Sequence, residues 1–379
     1  MSLSVALLTS ASAWRGSGTS LAKIAHGLER AGHRALVLTG STEVRERFES
    51  EGVEARLVPL ERTAWREARA LSHALRHHGA DLVLVDTPRD VRLAVLATGL
   101  HPIPILFRYN LSRRVLESHL VSRLFFLRVA AIAYQSEYAR DRALRTSPWL
   151  AGRRAEIIRN GYASVRHIPD QAAIERFRLA HRLQPDRLMV LSGAALFLDK
   201  GYALAIAAMA RVAAARPVDY VVCGAGGDAE QIVAASERAG LPIRCVGLLS
   251  GADWLVALDA ADLVLHPATG ELFGNVVAEA MLHTRPVVAI DSGATPELIG
   301  RGGEAGVLVP EDDADELAGA ITSLLDDPER RKSMGNAARA RILDQFPLER
   351  MESGYVRLIE GLAGRSPALP AHPTARQPV

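Results

Sequence analysis

Cysteine is scarce in this chain: of 379 residues only Cys223 and Cys245 carry thiols, and both lie in or beside apolar, strand-like runs. A disulfide framework is excluded, and buried thiols of a reducing compartment fit better. No continuous apolar run reaches the roughly 18 residues that a membrane-spanning helix requires. Net charge of one sign is also missing, because 45 basic and 43 acidic side chains leave +2. Nothing there demands a nucleic acid or an anionic membrane as partner. The 12 histidines are scattered, with no His-Glu-x-x-His arrangement, so no metal site is expected. A phosphate loop of the Gly-x-x-x-x-Gly-Lys-Ser/Thr kind and a nucleophile elbow are absent as well, which removes most motif support for a kinase or a hydrolase. The first residues carry Ala11, Ser12 and Ala13 after an apolar run. That run is short and no positive leader precedes it, so a buried first strand is expected rather than a secretory signal, and the cytoplasm as location.

What is present is a globular composition, 49% hydrophobic and 23% charged, over a length that suggests two domains of comparable size. The chain is organised around residues 262–296. Apolar runs at 263–265 and 287–290 flank Glu271, Gly274 and Glu279, which stand at the start of a Val/Ala-rich helical pattern. A strand, a turn, a helix aimed at the sheet edge and a second strand form the βαβ unit of a parallel sheet. Eight residues separate Glu271 from Glu279, about 12 Å along a helix axis, too far to share a proton or a metal. Glu271 is therefore placed in the loop and Glu279 about a turn inside the helix. There Glu279 can accept two hydrogen bonds from a vicinal diol, while the amides of Gly274, Asn275 and Val276 offer donors to an anion. A plainer reading stays open, with Glu279 a solvent-facing helix residue and Glu271 a charge favoured by the helix dipole.

The remaining chain alternates short apolar runs with helices, the pattern of parallel sheets covered on both faces. Strands are expected at 4–9, 35–39, 53–59, 82–85, 104–107, 130–134 and 156–158, then at 188–191, 219–223, 243–246 and 307–309. Gly16, Ser17 and Gly18 form a loop ahead of a helix from about residue 20; it lacks the full dinucleotide fingerprint. The segment 112–128 is amphipathic, with Arg113, Arg114, Arg123 and Arg128 between leucines, and packing over a groove is preferred to membrane contact. Prolines at 169 and 185 mark the connection between domains. The division is 1–168 with a return helix 348–362, then 169–347, with a proline-rich, disordered tail from 364. Two such domains facing each other leave a deep cleft at their strand ends. Lys200 heads a helix there and could neutralise a phosphate, or be a plain exposed lysine.

Taken together these stretches resemble the retaining glycosyltransferases of family 4, also called group 1, which have the GT-B architecture of two facing Rossmann-like domains. The likeness runs from about residue 4 to 362. It is most specific where Glu271 to Glu279 matches the family's Glu-x7-Glu motif and where Pro286 and the Gly293-Ala-Thr-Pro-Glu297 stretch continue it. It implies that Glu279 holds the ribose hydroxyls of a nucleotide and that Glu271 lies near the transferred sugar. Phe273, Gly274 and Asn275 would lie beside sugar or diphosphate, Lys200 on the donor phosphate, and Gly16, Ser17 and Gly18 near the diphosphate and acceptor. The helix 348–362 would brace the first domain. Two departures stand out: Gly193-Ala194-Ala195 where the family usually has an arginine, and Arg108-Tyr109-Asn110 where it often has a histidine. Arg108 is the candidate to replace the missing guanidinium. Asp86, Tyr109, Asn110 and Arg113 are the candidate acceptor contacts.

The implied activity is metal-independent, retaining transfer of a sugar from a nucleotide-diphosphate sugar, with a UDP-sugar expected, to a hydroxyl of a small-molecule, glycan or lipid-linked acceptor. Glu271, Lys200 and Arg108 carry the chemistry in this reading, no cofactor is required, and the chain is a monomer or homodimer. Rivals are an epimerase or phosphorylase of the same fold, or a donor-binding protein that has lost turnover.

Overall fold

The computed structural model describes residues 2–14, 16–60, 64–110, 120–164, 170–249 and 251–364. They fall into two compact units, Met1–Gly161 with Leu348–Val379, and Tyr162–Pro347. The expected boundary at 168, the expected tail after 364 and Arg113 lie outside the described residues. Tyr162 already belongs to the second unit. Its amide donates to the Phe346 carbonyl at 2.8 Å and its ring stacks on Phe273.

The first unit is a parallel sheet of β1 (Ser4–Thr9), β2 (Arg34–Thr39), β3 (Ala55–Leu57), β4 (Leu82–Val85), β5 (Ile105–Tyr109), β6 (Val129–Tyr134) and β7 (Ala155–Ile157), in the order β3-β2-β1-β4-β5-β6-β7. Its central strands are apolar over most of their length, as in parallel sheets covered on both faces. Val5, Leu7, Val37, Leu82, Leu84 and Leu106 are fully buried. The helix Leu348–Ala363 returns to this core, where Met351, Tyr355, Leu358 and Ile359 are buried, and Glu352 lies against Gly27 so closely that a Cβ there would sit 2.7 Å from its Cγ.

The second unit repeats the plan with β8 (Leu188–Gly193), β9 (Val218–Cys223), β10 (Ile243–Gly247), β11 (Leu263–His266), β12 (Val287–Ile290) and β13 (Val307–Val309), ordered β10-β9-β8-β11-β12-β13. In each sheet the chain reverses its direction of travel once, between β1 and β4 and between β8 and β11. At such a switch point two neighbouring connections leave on opposite faces, and the crevice between them is where open α/β sheets bind ligands.

Several expectations shift at their edges. β5 continues through Arg108 and Tyr109, which were expected in the loop beyond it, because Asp86 receives the guanidinium and lets a charged residue stay inside a strand. Gly16, Ser17 and Gly18 are the first turn of the helix Gly16–Arg30 rather than a loop before it. Lys200 ends a short 3-10 turn, Leu198–Lys200, and the following helix begins at Tyr202. Among the described residues no helix is long and apolar enough to cross a membrane.

Candidate functional site

The switch point of the second unit gathers three loops. β8 ends at Gly193, followed by the turn that carries Lys200. β11 ends at His266 and leads through Pro267 to Glu271 and the helix Asn275–Leu282. β12 ends at Ile290 and leads to Gly293 and the helix Thr295–Ile299.

Two glycines hold these loops against each other. Gly201 sits at φ +73°, and a Cβ on it would lie 2.0 Å from the Pro267 carbonyl oxygen. Gly293 sits at φ +65°, and its Cβ would lie 2.6 Å from both the nitrogen and the oxygen of Glu271. Both positions combine a backbone region that disfavours side chains with no space for one. The amide of Ala294 then donates to the Glu271 carbonyl at 2.8 Å, which fixes the backbone bearing the acid.

Lys200 and Glu271 come together directly: the Lys200 Nζ donates to Glu271 Oε1 at 2.5 Å, with the two side chains 12% and 21% exposed. Such a charge-assisted bond survives because the pair is mostly shielded, yet both groups still reach the surface. Gly274 caps the helix Asn275–Leu282 at φ +94°, a left-handed conformation that turns the chain from the loop into the helix. Asn275 is held by Tyr162, whose hydroxyl donates to its Oδ1 at 3.0 Å. Burial, with the nearby Glu279 charge, raises the Tyr162 phenol well above its ordinary pKa, which keeps it a donor. Glu279 lies half-buried and accepts from the indole Nε1 of Trp254 at 2.7 Å.

Phe273 does not face this surface. It is buried in the core of the second unit, stacked on Tyr162 and edge-on to Phe346 with ring centroids 5.9 Å apart. Its expected place beside sugar or diphosphate is corrected: an aromatic flanked by Leu272 and Gly274 at the foot of a helix fills the apolar space beneath the loop.

His266 was missed by sequence reasoning. It is buried at the end of β11 with neither ring nitrogen hydrogen-bonded among the described residues. Burial lowers its pKa, Glu271 opposes that shift and Lys200 adds to it, so the imidazole is neutral at physiological pH. The one sequence signal was a polar residue closing an otherwise apolar strand.

In the first unit the expected catalytic and acceptor residues are occupied elsewhere. Arg108 is 1% exposed and makes a two-pronged pair with Asp86, Nε to Oδ1 and Nη2 to Oδ2, both 2.8 Å. Nη2 also donates to the Ser17 carbonyl at 3.0 Å. Burial pulls the guanidinium pKa down, but Asp86 outweighs it and the net shift is upward. A cation so enclosed holds protein together and has no face left for a diphosphate, which corrects the expectation that Arg108 replaces the missing family arginine. Asp86 is sequestered by the same pair, and Tyr109 is fully buried among Phe107 and Tyr134, so neither presents an acceptor contact. Asn110 is half-buried and accepts from Gln135 Nε2 at 3.2 Å. Gly16, Ser17 and Gly18 stay at the helix start, Gly16 exposed. Among the described residues no three His, Cys, Asp or Glu side chains group as metal ligands do.

Comparison with known proteins agrees with this fold. The family model for group 1 glycosyl transferases matches residues 173–341, and that for glycosyltransferase family 4 matches residues 14–164. The alpha-maltose-1-phosphate synthase of Mycolicibacterium smegmatis is 30% identical over 57% of this chain and 59% of its own length. The phosphatidyl-myo-inositol mannosyltransferase of the same organism is 37% identical over 44% of this chain and 42% of its own. The chain thus matches about half the length of these relatives. Among solved structures, Anabaena Alr3699/HepE in complex with UDP and glucose superimposes with a TM-score of 0.81 over 95% of this chain and all of its own, at 20% identity. The sucrose-phosphate synthase of Thermosynechococcus elongatus does so with a TM-score of 0.78 over 95% of this chain and 99% of its own, at 19% identity. With one model of the group on each unit and a GT-B glycosyltransferase fold throughout, this chain belongs to the group 1, family 4 glycosyltransferases.

Proposed function

We propose that the protein transfers a hexosyl group from a nucleoside-diphosphate sugar, a UDP-sugar in the first instance, to an acceptor hydroxyl with retention of anomeric configuration. The observation that carries this reading is the Lys200–Glu271 pair at the switch point of the second unit, beside the N-terminus of the helix that bears Glu279. In the reaction the bond from the anomeric carbon to the β-phosphate oxygen breaks and a bond to the acceptor oxygen forms. The acceptor proton passes to the departing phosphate. Negative charge grows on that phosphate, and Lys200 together with the amides at Asn275 and Val276 is arranged to meet it without reorganising. Lys200 must exchange Glu271 for phosphate, which returns Glu271 to accept from sugar hydroxyls. Glu279 accepts from the ribose diol.

With Arg108 removed from the chemistry, the catalytic set reduces to Lys200 and Glu271, with no metal or cofactor invoked. The relatives' names span a sugar phosphate product and a phosphatidylinositol acceptor, and one further relative from Corynebacterium glutamicum is described as GDP-mannose-dependent. GDP-mannose is therefore the competing donor, and a hydroxyl-bearing small molecule, glycan or lipid headgroup the acceptor class. The cytoplasm is the location that goes with this reading.

The test is calorimetric titration with UDP, GDP, dTDP and ADP, followed by donor hydrolysis with the sugar of the best binder. Binding of one diphosphate is expected, weakened by Lys200→Ala, with slow hydrolysis of its sugar. Absence of binding to every diphosphate overturns the reading. Binding without hydrolysis or transfer replaces it with a donor-binding protein that has lost turnover.

A further inference from the structure

Trp254 belongs to no motif. It lies on the helix Ala252–Ala260, which contributes nothing to the Glu-x7-Glu stretch, yet its indole meets two of the three elements at the switch point. The Nε1 hydrogen points at Glu279 Oε2, 2.7 Å away. The six-membered ring lies over the end of β8: a Cβ on Gly193 would be 2.6 Å from Trp254 Cη2, 3.0 Å from Cζ3 and 3.4 Å from Val276 Cγ1. Gly193 opens the stretch where this chain lacks the arginine usual in its family. The indole takes the space that a side chain at 193 would need.

We infer that Trp254 is a positioning residue of Glu279, helping to hold its carboxylate in the orientation that receives a ribose diol, and that Gly193 is glycine to admit the indole. This rests on the reading of Glu279 as the ribose-binding carboxylate. An indole N–H donates and never accepts, so it pairs with a carboxylate oxygen whatever the neighbours do, and a carboxylate offers about four lone-pair directions, of which the Trp254 bond takes one. A half-buried glutamate that still reaches solvent has several rotamers open to it, and all but one must be given up on binding. An indole packed over the Gly193 backbone settles that choice before the ligand arrives, and such preorganisation is read as affinity.

The test compares UDP with 2′,3′-dideoxy-UDP, and GDP with its dideoxy counterpart, by calorimetry on the parent, Glu279→Ala, Trp254→Phe and Gly193→Ala, with thermal unfolding recorded for each. Phe keeps a ring and removes the N–H; Ala at 193 keeps the indole and dislodges it, so each variant checks the other if one fails to fold. The parent is expected to prefer the intact ribose by about tenfold, with the preference near one in Glu279→Ala and below about threefold in both other variants. Inorganic pyrophosphate affinity, which a general disruption of the site would lower, stays within about twofold of the parent's. A parent indifferent to the ribose hydroxyls overturns the assignment of Glu279. A parent that discriminates, with a folded Trp254→Phe or Gly193→Ala discriminating equally well, overturns the role of Trp254 and leaves that of Glu279 intact.

Discussion

The two units place charge at the carboxyl ends of the same kind of sheet and use it in opposite ways. At the first, Arg108 near the end of β5 and Asp86 just past the end of the neighbouring β4 are almost wholly buried and bind each other in two prongs, with Arg108 also reaching the Ser17 carbonyl. At the second, Lys200 and Glu271 come from different loops, pair through one oxygen and remain in reach of solvent. A two-pronged buried pair fixes geometry and resists exchange, whereas a single-pronged, partly open pair can trade one partner for a ligand at small cost. The comparison teaches which charged residues of a site hold its frame and which meet a substrate.

That contrast breaks most visibly at Asp86. Asp86→Ala leaves Arg108 buried without a counter-charge and is expected to cost about 3–5 kcal/mol of unfolding free energy. Replacing both, Asp86→Leu with Arg108→Met, is expected to cost less than the single change, because no orphaned charge remains. Urea unfolding of the three proteins checks this, and hydrogen exchange around Ser17 and Gly18 should quicken in the double variant, where Arg108 no longer holds that turn. Equal stability of Asp86→Ala and the parent would show the pair to be ornamental.

Next in size is Asp90, on the helix Pro88–Ala97 close to Asp86. Burial raises its carboxyl from 3.8 to about 6, against opposing hydrogen bonds from Thr87 and Ser10 and with a smaller push from the Asp86 charge. A raised carboxyl favours the neutral form in the fold, so its stability contribution is fully present below pH 3.8, declines as pH climbs, and is lost above about 6. A shift of about two units amounts to roughly 3 kcal/mol. Asp90→Asn keeps an acceptor for Thr87 and removes the charge. It is expected to stabilise the protein by about 2–3 kcal/mol at pH 7.5 and by almost nothing near pH 3.5. Denaturant midpoints at the two pH values decide it, and a gain that does not depend on pH would reject burial as its cause.

Much of the fold was legible because parallel strands buried on both faces read as unbroken apolar runs, and those at 82–85 and 287–290 coincide with β4 and β12. The helices Thr42–Ser50 and Gln171–Ala180 were not legible. The first buries only Val44 and Phe48 and the second only Phe177, too few apolar positions to set a period. Within the site, Glu271, Gly274 and Glu279 were visible as a motif, since chemistry at a helix start constrains neighbours in sequence, and Lys200 was visible through the family resemblance, though its pairing with Glu271, 71 residues on, was not. Arg108 misled because its partner lies 22 residues away, and a charged residue at the end of an apolar run resembles a ligand group as much as a buried one. Trp254 was invisible for the same reason, with Glu279 25 residues further on. Long-range pairing leaves no local trace.

The smallest effect on stability, and the sharpest on the comparison, is expected at Glu271. Glu271→Gln removes the counter-charge of Lys200 in a pair that is neither fully buried nor fully exposed, so unfolding free energy should fall by about 1 kcal/mol or less. Binding should move the other way. In the parent a diphosphate must first displace Glu271 from Lys200; in the variant the ammonium is held only by a neutral amide, and the anion meets it more readily. Affinity for the preferred nucleoside diphosphate is expected to rise about two- to fivefold, equivalent to roughly 0.4–1 kcal/mol, whereas sugar transfer falls because the carboxylate is gone. Lys200→Ala should lower both. Calorimetry and a transfer assay on the same samples separate the two variants: opposite signs in binding with a shared loss of turnover mark a pair that exchanges partners. A fall in diphosphate affinity in both would mean that Lys200 and Glu271 act as one fixed unit, like Arg108 and Asp86, and the difference between the two sheet edges would then be one of burial alone.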